Sequence, residues 1–240
     1  MNFDFSEDQK QLRDQARRFL AEKSPPKAVR QVLEGKAPYD KELWKGFAEL
    51  GFLGVAIPES YGGTGAGHLE LAVIAEEIGR ADAAIPVSSS IYMAAEAIML
   101  AGSEAQKEKW LKPIVEGKVR SSFAMTEPAP GGGSDPSMIK TYAEKKGDTW
   151  KIYGRKWFIT GAAAASHFIL AARTSDDKRK GITTFLYHKD QPGWRIVRRI
   201  GILGPEEHGG HCELEFDGLE VHDDDVFGGL GNGLTVVQVR

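Results

Sequence analysis

The feature that most constrains this chain is a single change of hydrophobic period near Gly117. Before it, apolar residues recur every three or four positions, as on one face of a helix. After it they alternate, as on one face of a strand. A chain that changes period once does not supply the repeated strand-helix alternation of a doubly wound parallel sheet. Its helices and strands must segregate.

The first half carries the punctuation of helices. Ser6-Glu7-Asp8-Gln9 has the spacing of a capping box, followed by an apolar stripe of Leu12, Ala16, Phe19 and Leu20. Ser24-Pro25-Pro26 stops that helix and opens a short one through Val29, Val32 and Leu33. Asp40 caps a third, with Leu43, Trp44, Phe47 and Leu50 expected inward and Gly51 as its stop. Two more helices are expected, near Leu69–Arg80 and Ser88–Gly102. A second capping box, Ser103-Glu104-Ala105-Gln106, opens the helix of Trp110, Leu111 and Ile114.

The second half reads as short strands. Ile139, Thr141 and Ala143 alternate with polar neighbours, and Lys146-Gly147-Asp148 turns the chain back into Trp150, Ile152 and Tyr153. Further runs are expected at Trp157–Thr160, His167–Ala171, Ile182–Tyr187, Trp194–Ile200 and Glu213–Phe216. Gly-rich turns between them suggest a barrel or sandwich. The organisation expected is an all-α region over 1–117, a β region over 118–229, and over 230–240 the start of a third, helical region behind the hinge-like Gly228–Gly233.

Composition removes several function classes. With 31 basic and 34 acidic residues the net charge is −3, which offers no electrostatic reason for nucleic acid or an anionic membrane surface. The lone cysteine, Cys212, excludes an intrachain disulfide framework. No apolar run reaches the ~20 residues of a membrane span, and the acidic start lacks the layout of a signal peptide. A cytoplasmic protein is the expectation.

Several motifs have plainer readings than their chemistry suggests. Gly62-Gly63-Thr64-Gly65-Ala66-Gly67 lacks a preceding strand and reads as a connector between helices rather than a phosphate loop. His208, His211 and Cys212, beside Glu206 and Glu207, read as a solvated loop, since a closed zinc site wants four ligands at set spacing. Asp223-Asp224-Asp225 reads as a polar turn, so no metal site is expected. The informative stretch is Ser121–Pro128, followed by Ala129-Pro130-Gly131-Gly132-Gly133-Ser134-Asp135. It joins a strand to a glycine-rich turn that leaves backbone amides and small hydroxyls open to a ligand. Trp157–Gly161 adds aromatic and hydroxyl groups at another strand end.

Thr126-Glu127-Pro128 with Gly133-Ser134-Asp135 resembles the Met-Thr-Glu-Pro…Gly-Ser-Asp signature of the acyl-CoA dehydrogenases. Ile57–Gly63, Gly154–Thr160 and Leu214–Val221 resemble further segments of that family, in the same order, and the resemblance covers essentially the whole chain. The turn before Ser134 departs from the family by two extra residues. The resemblance implies an α+β multidomain protein: an N-terminal all-α domain, then a β-barrel or sandwich domain, with the family's C-terminal helical bundle missing here. It implies FAD as cofactor and α,β-dehydrogenation of an acyl-CoA to the 2-enoyl-CoA in fatty acid β-oxidation. Electrons would go to an electron-transfer flavoprotein or similar acceptor, from a homo-oligomeric tetramer or dimer.

By position, Phe123, Ala124, Met125 and Thr126 would line the flavin, and Ser134 would contact flavin phosphate or acyl-CoA. Phe158 would sit against the isoalloxazine, Ile159 beside it, and Thr160 near N5. Which of Trp157 and Phe158 meets the ring depends on strand register. The family's catalytic carboxylate belongs to its C-terminal bundle, so no catalytic residue is assigned here, and the 240 residues are expected to be an inactive fragment. Related acyl-CoA oxidases and flavin monooxygenases share these strands. A non-catalytic partner subunit is the alternative of a different class.

Overall fold

The computed structural model describes residues 4–35, 39–178, 180–201 and 210–238, with Ser89 described by its main chain alone. The chain forms two compact units: Met1–Ile85 with Leu111–Lys118, and Pro86–Trp110 with Val119–Arg240.

The first unit is helical, built from α1 (Glu7–Lys23), α2 (Pro26–Leu33), α3 (Lys41–Glu49) and α4 (His68–Arg80). The Ser6–Gln9 capping box forms in both directions, and the Asp40 carboxylate accepts from the Leu43 N–H. Leu43, Trp44 and Phe47 are buried as their spacing demands, and Phe47 meets Phe19 and Phe52 edge to face. Leu50 is instead exposed, because α3 stops at Glu49 and Gly51 turns the chain away in the left-handed region. Glu77 of α4, fully buried, is clamped by Arg17 at 2.6 Å and Arg80 at 2.7 Å.

The second unit holds the strands. They are β1 (Ser121–Ala124), β2 (Tyr142–Lys146), β3 (Thr149–Thr160), β4 (His167–Arg173), β5 (Ile182–His188), β6 (Trp194–Ile200), β7 (His211–His222) and β8 (Val226–Phe227). They form one mixed sheet in the order β6-β7-β3-β2-β4-β5-β8, with β1 lying parallel beside β4. The expected β domain after a helical region is therefore present. Its core gathers the inward residues Trp150, Ile152, Phe168, Leu170, Phe185, Tyr187, Leu214 and Phe216, with Phe168 stacked on Tyr187 at 4.7 Å.

Three expected elements change shape. Trp157–Thr160 is no separate strand but the end of the twelve-residue β3, which bends through Gly154 at φ +138°. A side chain at Gly154 would press on Thr141, its Cβ 2.7 Å from the Thr141 Cα. Strand β7 runs far beyond Glu213–Phe216 because Gly218, at φ +78°, absorbs an extra residue between the pairs Ile152–Leu219 and Tyr153–Asp217. The helix expected over Ser88–Gly102 is a π-helical stretch, Ser88–Ala95, continued by α5 (Glu96–Ala101). The second capping box forms as expected at α6 (Glu104–Val115). A short helix, α7 (Gly233–Gln238), follows the Gly228–Gly233 stretch.

Candidate functional site

Strand β3 alternates inward and outward until Lys156, then breaks step. Lys156 pairs with Leu214 and Ile159 with Cys212, so Trp157 and Phe158 together face the single residue between. This is a β-bulge, and Phe158 takes its strain at φ +52°. A left-handed aromatic residue costs on the order of 1–3 kcal/mol, and such strain concentrates at functional sites. The consequence is geometric. Without the bulge, alternation would send Phe158 into the core; instead it is 43% exposed, with Trp157 edge-on at 5.0 Å. Ile159 returns to the core and Thr160 faces out again. The bulge thus leaves Phe158 exposed beside a half-buried Trp157.

The bulge also frees the main chain of Trp157 from β7 and gives it to Thr126. The Trp157 N–H donates to the Thr126 carbonyl at 3.0 Å, and the Thr126 hydroxyl donates to the Trp157 carbonyl at 2.7 Å. Farther up, the Ser122 hydroxyl donates to the Thr160 carbonyl at 2.6 Å. The two segments singled out in the sequence therefore lie side by side. Among the described residues no hydrogen bond reaches the Thr126 main-chain N–H.

Beneath this wall sits a buried charged pair to which the family resemblance assigns no role. Lys156 is wholly buried, and its ammonium donates to the Met125 carbonyl and to Glu127 Oε1, each at 2.8 Å. Glu127 also accepts from the N–H groups of Lys140 at 2.7 Å, Thr141 at 2.9 Å and Gly132 at 3.4 Å. Burial pulls the Lys156 pKa down to about 8, with Glu127 opposing, so the amine stays charged at neutral pH. Burial pushes the Glu127 carboxyl up, but the Lys156 charge and the amide donors outweigh it and hold it below the ordinary carboxylate range. One carboxylate thus ties together β3, the end of β1 and the turn after it.

The other expected site residues divide by exposure. Ala124 and Ile159 are buried in the sheet core and Phe123 is nearly so, so their side chains serve packing. Met125 packs against Ile139, Ala171 and Ile182. Ser134 is exposed on the turn, whose base is fixed by the Glu127 N–H donating to the Gly132 carbonyl at 2.8 Å. Thr160 Oγ1 lies 2.9 Å from Nδ1 of His211. His211 and Cys212 are therefore not part of a solvated loop: they open β7, with Cys212 fully buried and its thiol pushed up by that burial. Glu206, Glu207 and His208 lie outside the described residues.

The glycine-rich connector is not an anion cradle. The N–H groups of residues 63 to 66 all donate to carbonyls of residues 54 to 58. Asp223 accepts from Lys145 and the Trp150 indole, and Asp225 pairs with Lys109, as a structural turn would. Among the described residues there is no group of three potential metal ligands and no helix long and apolar enough to cross a membrane.

Residues 6–118 match the acyl-CoA dehydrogenase N-terminal domain, and residues 122–219 match the acyl-CoA dehydrogenase middle domain. The chain is 35% identical over 235 residues to the 3-(aryl)acrylate reductase of Clostridium sporogenes, covering 95% of itself and 60% of that relative. It is 34% identical to the mitochondrial isovaleryl-CoA dehydrogenase of Pongo abelii, covering 97% and 55%. The butyryl-CoA dehydrogenase structure from Megasphaera elsdenii superposes with a TM-score of 0.88 at 32% identity, over 98% of this chain and 62% of that one. This chain belongs to the acyl-CoA dehydrogenase family. It spans 55–62% of the length of these relatives.

Proposed function

We propose that these residues form the FAD-facing wall of an enzyme that removes hydrogens from Cα and Cβ of an acyl-CoA thioester. The observation that carries this reading is the bulge at Trp157–Phe158, strained so that an exposed aromatic ring, the Thr126 segment and the Thr160 hydroxyl share one surface. A flat ring with a hydrogen-bonding edge fits that donor set: Phe158 offers an apolar face, Thr126 a main-chain N–H without a partner among the described residues, and Thr160 a hydroxyl. Ser134, exposed on the neighbouring turn, is the candidate for a phosphate or acyl-CoA contact.

FAD, when bound, supplies the hydride acceptor; the chain supplies orientation and fixed hydrogen bonds. The buried Lys156–Glu127 pair keeps the wall rigid, since moving Thr126 relative to Trp157 would unpair a buried charge. None of the carboxylates anchoring this wall is free to act as a base. Glu127 is committed to Lys156 and amides, Glu213 to Arg198 and Arg155, and Glu215 to Arg155 and Arg195. The proton abstraction at Cα is accordingly assigned to a carboxylate outside this set, and the 240 residues by themselves are expected to be inactive.

The electron acceptor proposed is an electron-transfer flavoprotein. Supporting it, the caffeyl-CoA reductase-Etf complex subunit CarC of Acetobacterium woodii is 35% identical over 206 residues. A homo-oligomer is proposed with it. The C. sporogenes acrylate reductase favours testing the reverse direction too, saturation of an enoyl substrate on the same wall. The experiment is an absorption spectrum of the protein purified at the length its gene encodes, followed by acyl-CoA-dependent dye reduction. Bound yellow flavin bleached by an acyl-CoA supports the reading; colourless protein that takes up no FAD refutes it.

A further inference from the structure

We propose that His211 is a positioning residue that acts through Thr160, deciding whether that hydroxyl presents a proton or a lone pair to the flavin edge. The inference rests on the reading above that Thr160 faces the flavin. Thr160 of β3 and His211 of β7 are directly paired, so their side chains leave the sheet on the same side. They meet at 2.9 Å through Oγ1 and Nδ1, and the His211 ring lies 6.2 Å from that of Phe158. Aromatic ring, hydroxyl and imidazole therefore form one cluster at the end of the bulge.

Among the described residues, the neighbours of His211 leave this contact uncontested. Its partner on β6 is the apolar Ile200. Two positions along β7, Glu213 is engaged by Arg198 of β6 at 2.8 Å and Arg155 of β3 at 3.6 Å. Among the described residues the Thr160 hydroxyl has no other hydrogen-bond partner.

A hydroxyl has one proton and two acceptor sites. When Nδ1 of His211 carries no proton, Thr160 donates to it, and only oxygen lone pairs remain for a ligand. When Nδ1 is protonated, the imidazole donates and the Thr160 proton is free to point outward. Oxidised flavin has an acceptor at N5 and reduced flavin a donor. The two arrangements of one His–Thr pair thus suit opposite redox states, which gives the histidine a hold on the flavin that mere packing would not.

The test compares His211→Asn, whose amide stands where Nδ1 stood, with His211→Phe, which keeps a ring and removes the hydrogen bond. In the flavin-loaded protein, purified at the length its gene encodes, His211→Phe is expected to shift the visible band of the flavin. It should also slow flavin reduction by about three- to tenfold at saturating substrate, the worth of one net hydrogen bond, with KM unchanged. His211→Asn should restore both, and in a Thr160→Val background His211→Phe should add nothing further. Should His211→Phe fail to fold, the imidazole ¹⁵N resonances of His211 carry the same test in flavin-free protein: they move in Thr160→Val if the pair exists. Unsubstituted protein that binds flavin, with His211→Phe spectrally and kinetically unchanged or with resonances indifferent to Thr160→Val, overturns this inference alone. Unsubstituted protein that binds no flavin overturns the proposed function, and this with it.

Discussion

Lys156 stands in step with Trp150 and Ile152 on β3, and that alternation can be read from the sequence alone. A lysine at an inward position demands a counter-charge, because an unpaired buried ammonium is unaffordable in a folded core. The demand was visible; the partner, 29 residues earlier in a loop, was not. Glu127→Gln strands the Lys156 ammonium and is expected to lower stability by about 3 kcal/mol, seen as a reduced urea midpoint at unchanged slope. Adding Lys156→Met should recover part of that loss, since the two sites are coupled. Two independent, additive losses would show that the pair is not a unit. His211 left a weaker trace. Its neighbours in sequence suggested a loop, and only pairing with β3 gave it a partner at Thr160.

At the scale of elements, the strand runs were legible from alternation, and Trp194–Ile200 has the expected bounds. What alternation could not show is where it fails. Neither Trp157 nor Phe158 carries a local signal for a left-handed backbone, which usually falls to glycine or asparagine. The bulge follows from β3 having to serve β7 on one side and Thr126 on the other. Phe158→Gly relieves the backbone strain and is expected to raise stability by about 0.5–1 kcal/mol in chemical unfolding. The same substitution removes the exposed ring and should weaken FAD binding in a fluorescence titration. A variant that loses stability would mean that Phe158 is held by packing rather than strained for a ligand.

For the whole molecule, the titrating groups set an acid limit. His167 on β4 lies between the rings of Trp110 at 4.4 Å and His188 at 4.5 Å. Burial, helped by the nearby charges of His188, Lys109 and Arg120, lowers its pKa to about 4. The unfolded chain therefore binds this proton more tightly, and stability falls as pH drops from 6.5 towards 4. Glu77 is held below the carboxylate range chiefly by its hydrogen bond from Arg17, with Arg80 assisting against burial. Its contribution is complete above 4.5 and is lost as pH falls through the lowered value. Urea midpoints are thus expected to decline in two stages. His167→Phe should flatten the first, regaining on the order of 2 kcal/mol near pH 4.5 relative to the parent's loss from neutrality. Glu77→Gln should cost stability at pH 7 and flatten only the second.

The sequence alone determined the order and kind of the elements, because period, caps and turn residues act over a few positions. It also carried the family signature, whose residues run in order along the chain. Only the tertiary structure decided which residues became the wall. Burial of Lys156, the left-handed turn at Phe158 and the pairing of Thr160 with His211 each depend on strands far apart in sequence competing for the same hydrogen bonds. That competition is settled by packing, which no local pattern records.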